Sequence, residues 1–64
     1  MKLVLVFESN VDVYDESRLD SAQMETFKKD FLLGEKRIIL NLRDGTDSVV
    51  NSDYLLSVST LKED

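Results

Sequence analysis

The 64-residue chain has no cysteine, no histidine, no proline and no tryptophan, and it has only two glycines. Each absence excludes something. Without cysteine there is neither a disulfide nor a thiolate zinc site. Without histidine the commonest transition-metal ligand and the usual near-neutral proton carrier are missing. Long apolar runs are missing too: the longest, Leu3–Phe7, has five residues. That is short for a signal-peptide core and far short of a membrane span, so the expected location is the cytoplasm. A domain this small buries only about 60 % of the surface its unfolded chain exposes. Small folds compensate with disulfides, a metal or a second subunit. Composition removes the first and the usual forms of the second, which leaves self-association.

What is present is acidic charge, unevenly spread. The net charge is −5. Residues 1–27 hold six acids against two bases, residues 28–43 two acids against five bases, and residues 44–64 five acids against one base. Such a chain is repelled by phosphate backbones and anionic lipid surfaces. Nucleic acid and membrane are therefore not expected partners, whereas a protein with a basic surface is.

The clearest pattern is Lys36–Leu61. Ile38, Leu40 and Leu42 alternate with Arg37, Asn41 and Arg43, as in a strand with one buried face. Asp44-Gly45 supplies hairpin chemistry, with either a two-residue turn or a bulged one. Val49-Val50 continue the return strand, Asn51-Ser52-Asp53 punctuates it, and Tyr54–Leu61 reads as another strand. The expectation is a three-stranded antiparallel meander. Lys2–Phe7 is a further strand, apolar on both faces. Glu8–Arg18 is ambiguous: Val11 and Val13 alternate around Asp12 as a short strand does, but Asp12, Asp15 and Glu16 equally suit a solvated loop. Ser21–Leu33 predicts a helix. Asp20 is its expected N-cap, Gln23 completes a variant of the capping box, and Leu19 and Met24 form a hydrophobic staple. Met24, Phe27 and Phe31 make the apolar stripe, extended by Leu32 or Leu33, and Gly34 ends the helix. Lys62–Asp64 reads as a frayed tail.

The fold class implied is α+β: a small antiparallel sheet in the order β-(β)-α-β-β-β with one helix packed on one face, forming a single domain over 1–64. A lone helix covers only one face of a sheet. The opposite face carries Val4, Val6, Ile39 and Leu55, and these are the expected interface of a homodimer.

Few residues point to chemistry. Asp44-Gly45-Thr46 is similar to the end of the Asp-x-Asp-Gly-Thr signature of haloacid-dehalogenase-type phosphatases, but Leu42 stands where the nucleophilic aspartate belongs. Asp44, Asp47 and Asp53 lack the spacing of an EF-hand calcium loop. The run from Val50 to Val58 resembles segments of the small flagellar FlbD-type proteins over less than half the chain, a match any meander with these turns can give. No cofactor, metal, small-molecule substrate or catalytic residue is expected. Asp12, Asp15, Glu16 and Asp20 form the densest acidic run; the first three serve either as an interaction patch or as a solvated loop, with Asp20 as the helix cap. Lys28, Lys29, Lys36, Arg37 and Arg43 form a basic counter-patch that reads as a solvated face. Tyr14 and Tyr54, large amphipathic side chains outside the helix stripe, suit an interface anchor or a half-buried strand edge. The expected function is an acidic protein-binding module that occupies a basic surface as an inhibitor or regulator, a composition typical of small phage or mobile-element proteins. The alternative is an assembly subunit that acts through self-association.

Overall fold

A computed structural model describes residues 1–62. Glu63 and Asp64, part of the expected frayed tail, lie outside the described residues. The elements run β1 (Lys2–Phe7), β2 (Val11–Tyr14), α1 (Ser21–Leu32), β3 (Arg37–Asn41), β4 (Asp47–Asn51), a 3-10 turn (Ser52–Tyr54) and β5 (Leu55–Leu61). The class is α+β and the order β-β-α-β-β-β.

β1 is the central strand of one sheet. It pairs antiparallel with β2 on one side and with β5 on the other. As the central strand, β1 buries Leu3 and Leu5 on its inner face and leaves Val4 and Val6 half-buried between neighbours on its outer face. Phe7 N–H donates to Asn10 O at 2.8 Å, closing the β1–β2 hairpin around Glu8-Ser9. β3 and β4 form a separate two-stranded sheet.

The expected meander is therefore divided between two sheets. Asn51, Ser52 and Asp53 do more than punctuate: Asn51 Oδ1 accepts from Asp53 N–H at 2.9 Å and caps the 3-10 turn. That turn takes the chain out of register with β4, and β5 runs back along β1 instead. The β1–β5 register shifts between Val6 and Phe7, so Leu55 faces Phe7. As a result Leu55, expected on the uncovered face, is only 7 % exposed and belongs to the core.

The β3–β4 connection takes the bulged form. Leu42 N–H donates to Thr46 O at 2.9 Å and Gly45 N–H to Leu42 O at 3.1 Å, with Gly45 at φ 89°. A type I turn followed by a left-handed glycine has this geometry. The Asp44 carboxylate accepts from the N–H and the hydroxyl of Thr46, at 2.9 and 2.6 Å.

Helix α1 ends as its sequence indicates. Gly34, at φ 85°, donates to Phe31 O, and Glu35 N–H donates to Asp30 O, both at 3.1 Å. These two bonds make a Schellman motif. The start differs from expectation. Asp20 occupies the N-cap position, and its carbonyl accepts from Met24 N–H. Its carboxylate makes no capping bond and lies 3.8 Å from the Arg43 guanidinium instead. Leu32 and Leu33 do not extend the apolar stripe: both are exposed, past the point where the helix contacts the sheets.

The two sheets and the helix close on one core. Leu3 and Leu5 of β1, Tyr14 of β2, Leu19, Met24 and Phe27 at the helix, Ile38 and Leu40 of β3, Val50 of β4 and Leu55 of β5 form it. Phe7, Phe31, Leu42 and Val58 pack on its margin. Among the described residues no polar or charged side chain is buried. The core is therefore apolar throughout, and polar side chains act at its surface.

Candidate interaction groove

Two surfaces stand out once the sheets are in place. The first is the outer face of β1 and β2. Val4 pairs with Val13 and Val6 with Val11, so four β-branched side chains make a two-by-two block. Val11 is 57 % exposed and Val13 is exposed too, while Val4 and Val6 are half-buried among their neighbours. Ile39 is not on this face. It lies opposite Val49 on the outside of the other sheet, where both are exposed. The expected interface set Val4, Val6, Ile39 and Leu55 is therefore dispersed: two residues share one sheet, one lies on the other, and Leu55 is internal.

The second surface is a groove of about 480 Å³ between β2 and β4. Its lining shows how each strand meets it. β2 contributes Asp12 and Tyr14, two residues apart, which is one face of a strand. β4 contributes Ser48, Val49, Val50 and Asn51, four consecutive residues, as a strand does when it presents its edge. Phe7 and Tyr54 complete the walls. Tyr54 is 68 % exposed, held out by the 3-10 turn, whereas Tyr14 is nearly buried.

The expected acidic patch is not one surface. Asp12 faces Leu5 across the ladder, so it shares the inward side with Tyr14 and is half-buried in the groove. Its carboxylate also accepts from Asn10 Nδ2 at 3.1 Å. Asp15 is spent on its own turn, accepting from the hydroxyl and N–H of Ser17. The Ser17 hydroxyl, then that N–H, hold the Asp15 carboxyl below the ordinary carboxylate value. Glu16 pairs with the Met1 amino group at 2.7 Å. Only Asp12 of the three therefore belongs to the groove.

Arg18 stands behind the Tyr14 wall of this site. Its guanidinium stacks on the Tyr14 ring at 4.6 Å, and its charge acts on both Asp15 and Asp44. Arg18 is not among the lining residues, so Asp12 is the charged side chain of the described lining.

Two other concavities have less to offer. One, of about 300 Å³, runs along the last turns of α1 beside Lys28, Lys29, Leu32 and Leu33. It is the convex side of a single helix, whose main-chain groups are already bonded within the helix. The other, of about 120 Å³, sits where Ser17 and Arg18 meet Leu42 and Asp44. Its polar groups are engaged in the two turns. Among the described residues no three acidic side chains gather as a metal site requires. No described helix is long and apolar enough to cross a membrane.

The chain matches no family model, no curated protein and no solved structure.

Proposed function

We propose that this chain acts by binding, as a small acidic module that engages a basic region of a larger protein in the cytoplasm and so blocks or regulates it. One observation carries the reading: the groove between β2 and the edge of β4 joins aromatic walls to a single half-buried carboxylate, Asp12. Aromatic side chains supply large contact area at low entropic cost, and a partly desolvated carboxylate discriminates by charge. The volume lies within the range of about 300–1,000 Å³ typical of ligand sites.

The test compares baits. Wild type, Tyr54→Ala and Asp12→Lys are immobilised and exposed to extract of the cells that make the protein, after circular dichroism has shown all three folded. A basic partner should bind wild type, weaken with Tyr54→Ala and be lost with Asp12→Lys. A partner retained equally by all three contradicts the reading.

Self-association is the second reading, and the valine block on β1 and β2 favours it. Its footprint decides how strong it is. Even the whole three-stranded sheet face, with strands about 4.8 Å apart and some six residues long, covers only roughly 300 Å², and the valine block is a part of it. A stable interface takes about 800 Å² from each partner. The self-association proposed is accordingly weak.

A further inference from the structure

The same groove also specifies the form of its occupant, on the footing of the binding function just proposed. The decisive feature is the register of the β3–β4 hairpin. Leu42 N–H bonds Thr46 O at one end, and Ser52 N–H bonds Lys36 O, at 2.8 Å, at the other. In an antiparallel ladder hydrogen-bonded and non-bonded pairs alternate. Counting inward from either end makes Leu40–Ser48 and Ile38–Val50 the bonded pairs, and Ile39–Val49 and Arg37–Asn51 the non-bonded ones. The main-chain groups of Val49, and the N–H of Asn51, therefore turn away from β3. β4 is an outer strand of its sheet, so these groups point to the open edge that lines the groove.

Across the groove stands the inward face of β2, with Asp12 and Tyr14 two residues apart. Alternate side chains of a strand are separated by about 6.6 Å, twice the rise per residue. A strand laid against β4 repeats that spacing, so two side chains on one of its faces match the separation of Asp12 and Tyr14. Asp12 is the only charged residue among the described residues of the lining. That half-buried carboxylate makes the complement a cation.

We infer that the groove takes an extended segment that adds as a strand to the free edge of β4, setting a lysine or arginine against Asp12 and an apolar side chain among Phe7, Tyr14 and Tyr54. Main-chain bonds to Val49 and Asn51 give such a complex affinity, and the two side-chain positions give it selectivity. This geometry also bears on a hazard. An open strand edge invites pairing with another chain, and the Asp12 carboxylate in the groove favours a basic chain there over a second copy of this acidic protein.

The experiment is selection from a random peptide library displayed on phage, with wild type and Asp12→Asn as targets, followed by study of one selected peptide. Wild type should enrich peptides carrying a lysine or arginine two residues from an aliphatic or aromatic side chain, and Asp12→Asn should lose the basic preference. The selected peptide should shift the amide resonances of Val49 and Asn51. The same peptide, N-methylated at alternate bonds, should bind at least tenfold more weakly. If the methylated peptide binds equally well with shifts still in the groove, strand addition is wrong and the binding function stands. If enriched peptides are neutral or acidic, the cation assignment is wrong. If no peptide is enriched, or the shifts lie outside the groove, the inference and the proposed function fall together.

Discussion

Arg43 Nε donates to the carbonyl oxygen of Glu16 at 2.6 Å. The main-chain N–H of Arg43 donates to Arg18 O at 2.9 Å, and its guanidinium lies 3.8 Å from the Asp20 carboxylate. One residue at the tip of the β3–β4 hairpin thus holds the whole loop from Glu16 to Asp20. That loop joins β2 to the helix, so Arg43 fixes where β2 and the groove wall stand relative to β4.

Stability measurements on Arg43 and Asp20 separate this clasp from an ordinary helix cap. A hydrogen bond with a charged donor contributes ~1.5–3 kcal/mol, and half-exposure of the guanidinium lowers that to about 1 kcal/mol for Arg43→Ala. Asp20→Ala removes only a distant exposed pair and should cost less than ~0.5 kcal/mol, not the ~1 kcal/mol typical of a lost cap. Urea midpoints decide it. An Asp20→Ala loss as large as that of Arg43→Ala would mean that the carboxylate caps the helix in solution.

Acid titration reads the turn chemistry. The Asp44 carboxyl is held below the ordinary carboxylate value, first by the Thr46 hydroxyl and then by the Thr46 N–H. A carboxyl depressed in the folded state binds fewer protons there than in the unfolded chain. Its contribution is present above the unfolded value and lost as pH falls through the folded one. Thr46→Val deletes the hydroxyl and should raise the Asp44 carboxyl toward its ordinary value, followed by NMR titration. An unchanged Asp44 would show that the hydroxyl bond does not persist in solution, and Asp15 in Ser17→Ala offers the parallel case.

Much of this architecture is legible in the residues, and the boundary of legibility is physical. Gly34, Asp44-Gly45 and the Met24/Phe27 stripe act through bonds and contacts a few residues away, so the helix end, the hairpin and the helix face could be read directly. The partner of β5 could not. Leu55–Leu61 has strand character whichever strand it joins, and the choice of β1 over β4 depends on one 3-10 turn and on the need of β1 for two neighbours. Exposure of Leu32 and Leu33 likewise depends on where the helix outruns the sheets. In the groove, Tyr14 and Tyr54 were recognisable as amphipathic anchors and Asp12 as an acid. What local pattern does not contain is the pairing of Asp12 with Leu5, which turns that acid away from Asp15 and Glu16 and into the groove. The clasp of Arg43 on the carbonyl of Glu16, 27 residues earlier in the chain, is equally non-local.

The valine block makes a separate prediction about self-association. With a footprint below roughly 300 Å² the wild type should dimerise weakly, its sedimentation coefficient rising with concentration. Val6→Lys should abolish that rise, and added salt should leave most of it, since the block itself is four valines and Lys2, on the same face of β1, is the charged residue beside it. A wild type that sediments as a 7.3 kDa monomer at every concentration contradicts this use of the face.

Whether the partner sits in the groove between β2 and β4 is read by placing a photo-crosslinking phenylalanine analogue at Tyr54, whose side chain is open to solvent and outside the core. The control position is Lys29, on the helix and away from the groove lining. Crosslinking is carried out in the cells that make the protein, and the attached partner fragment is sequenced. Capture is expected from position 54 and not from position 29, with a lysine or arginine within a few residues of the attachment point. Equal capture from both positions, or an acidic fragment at position 54, would contradict a partner seated in this groove.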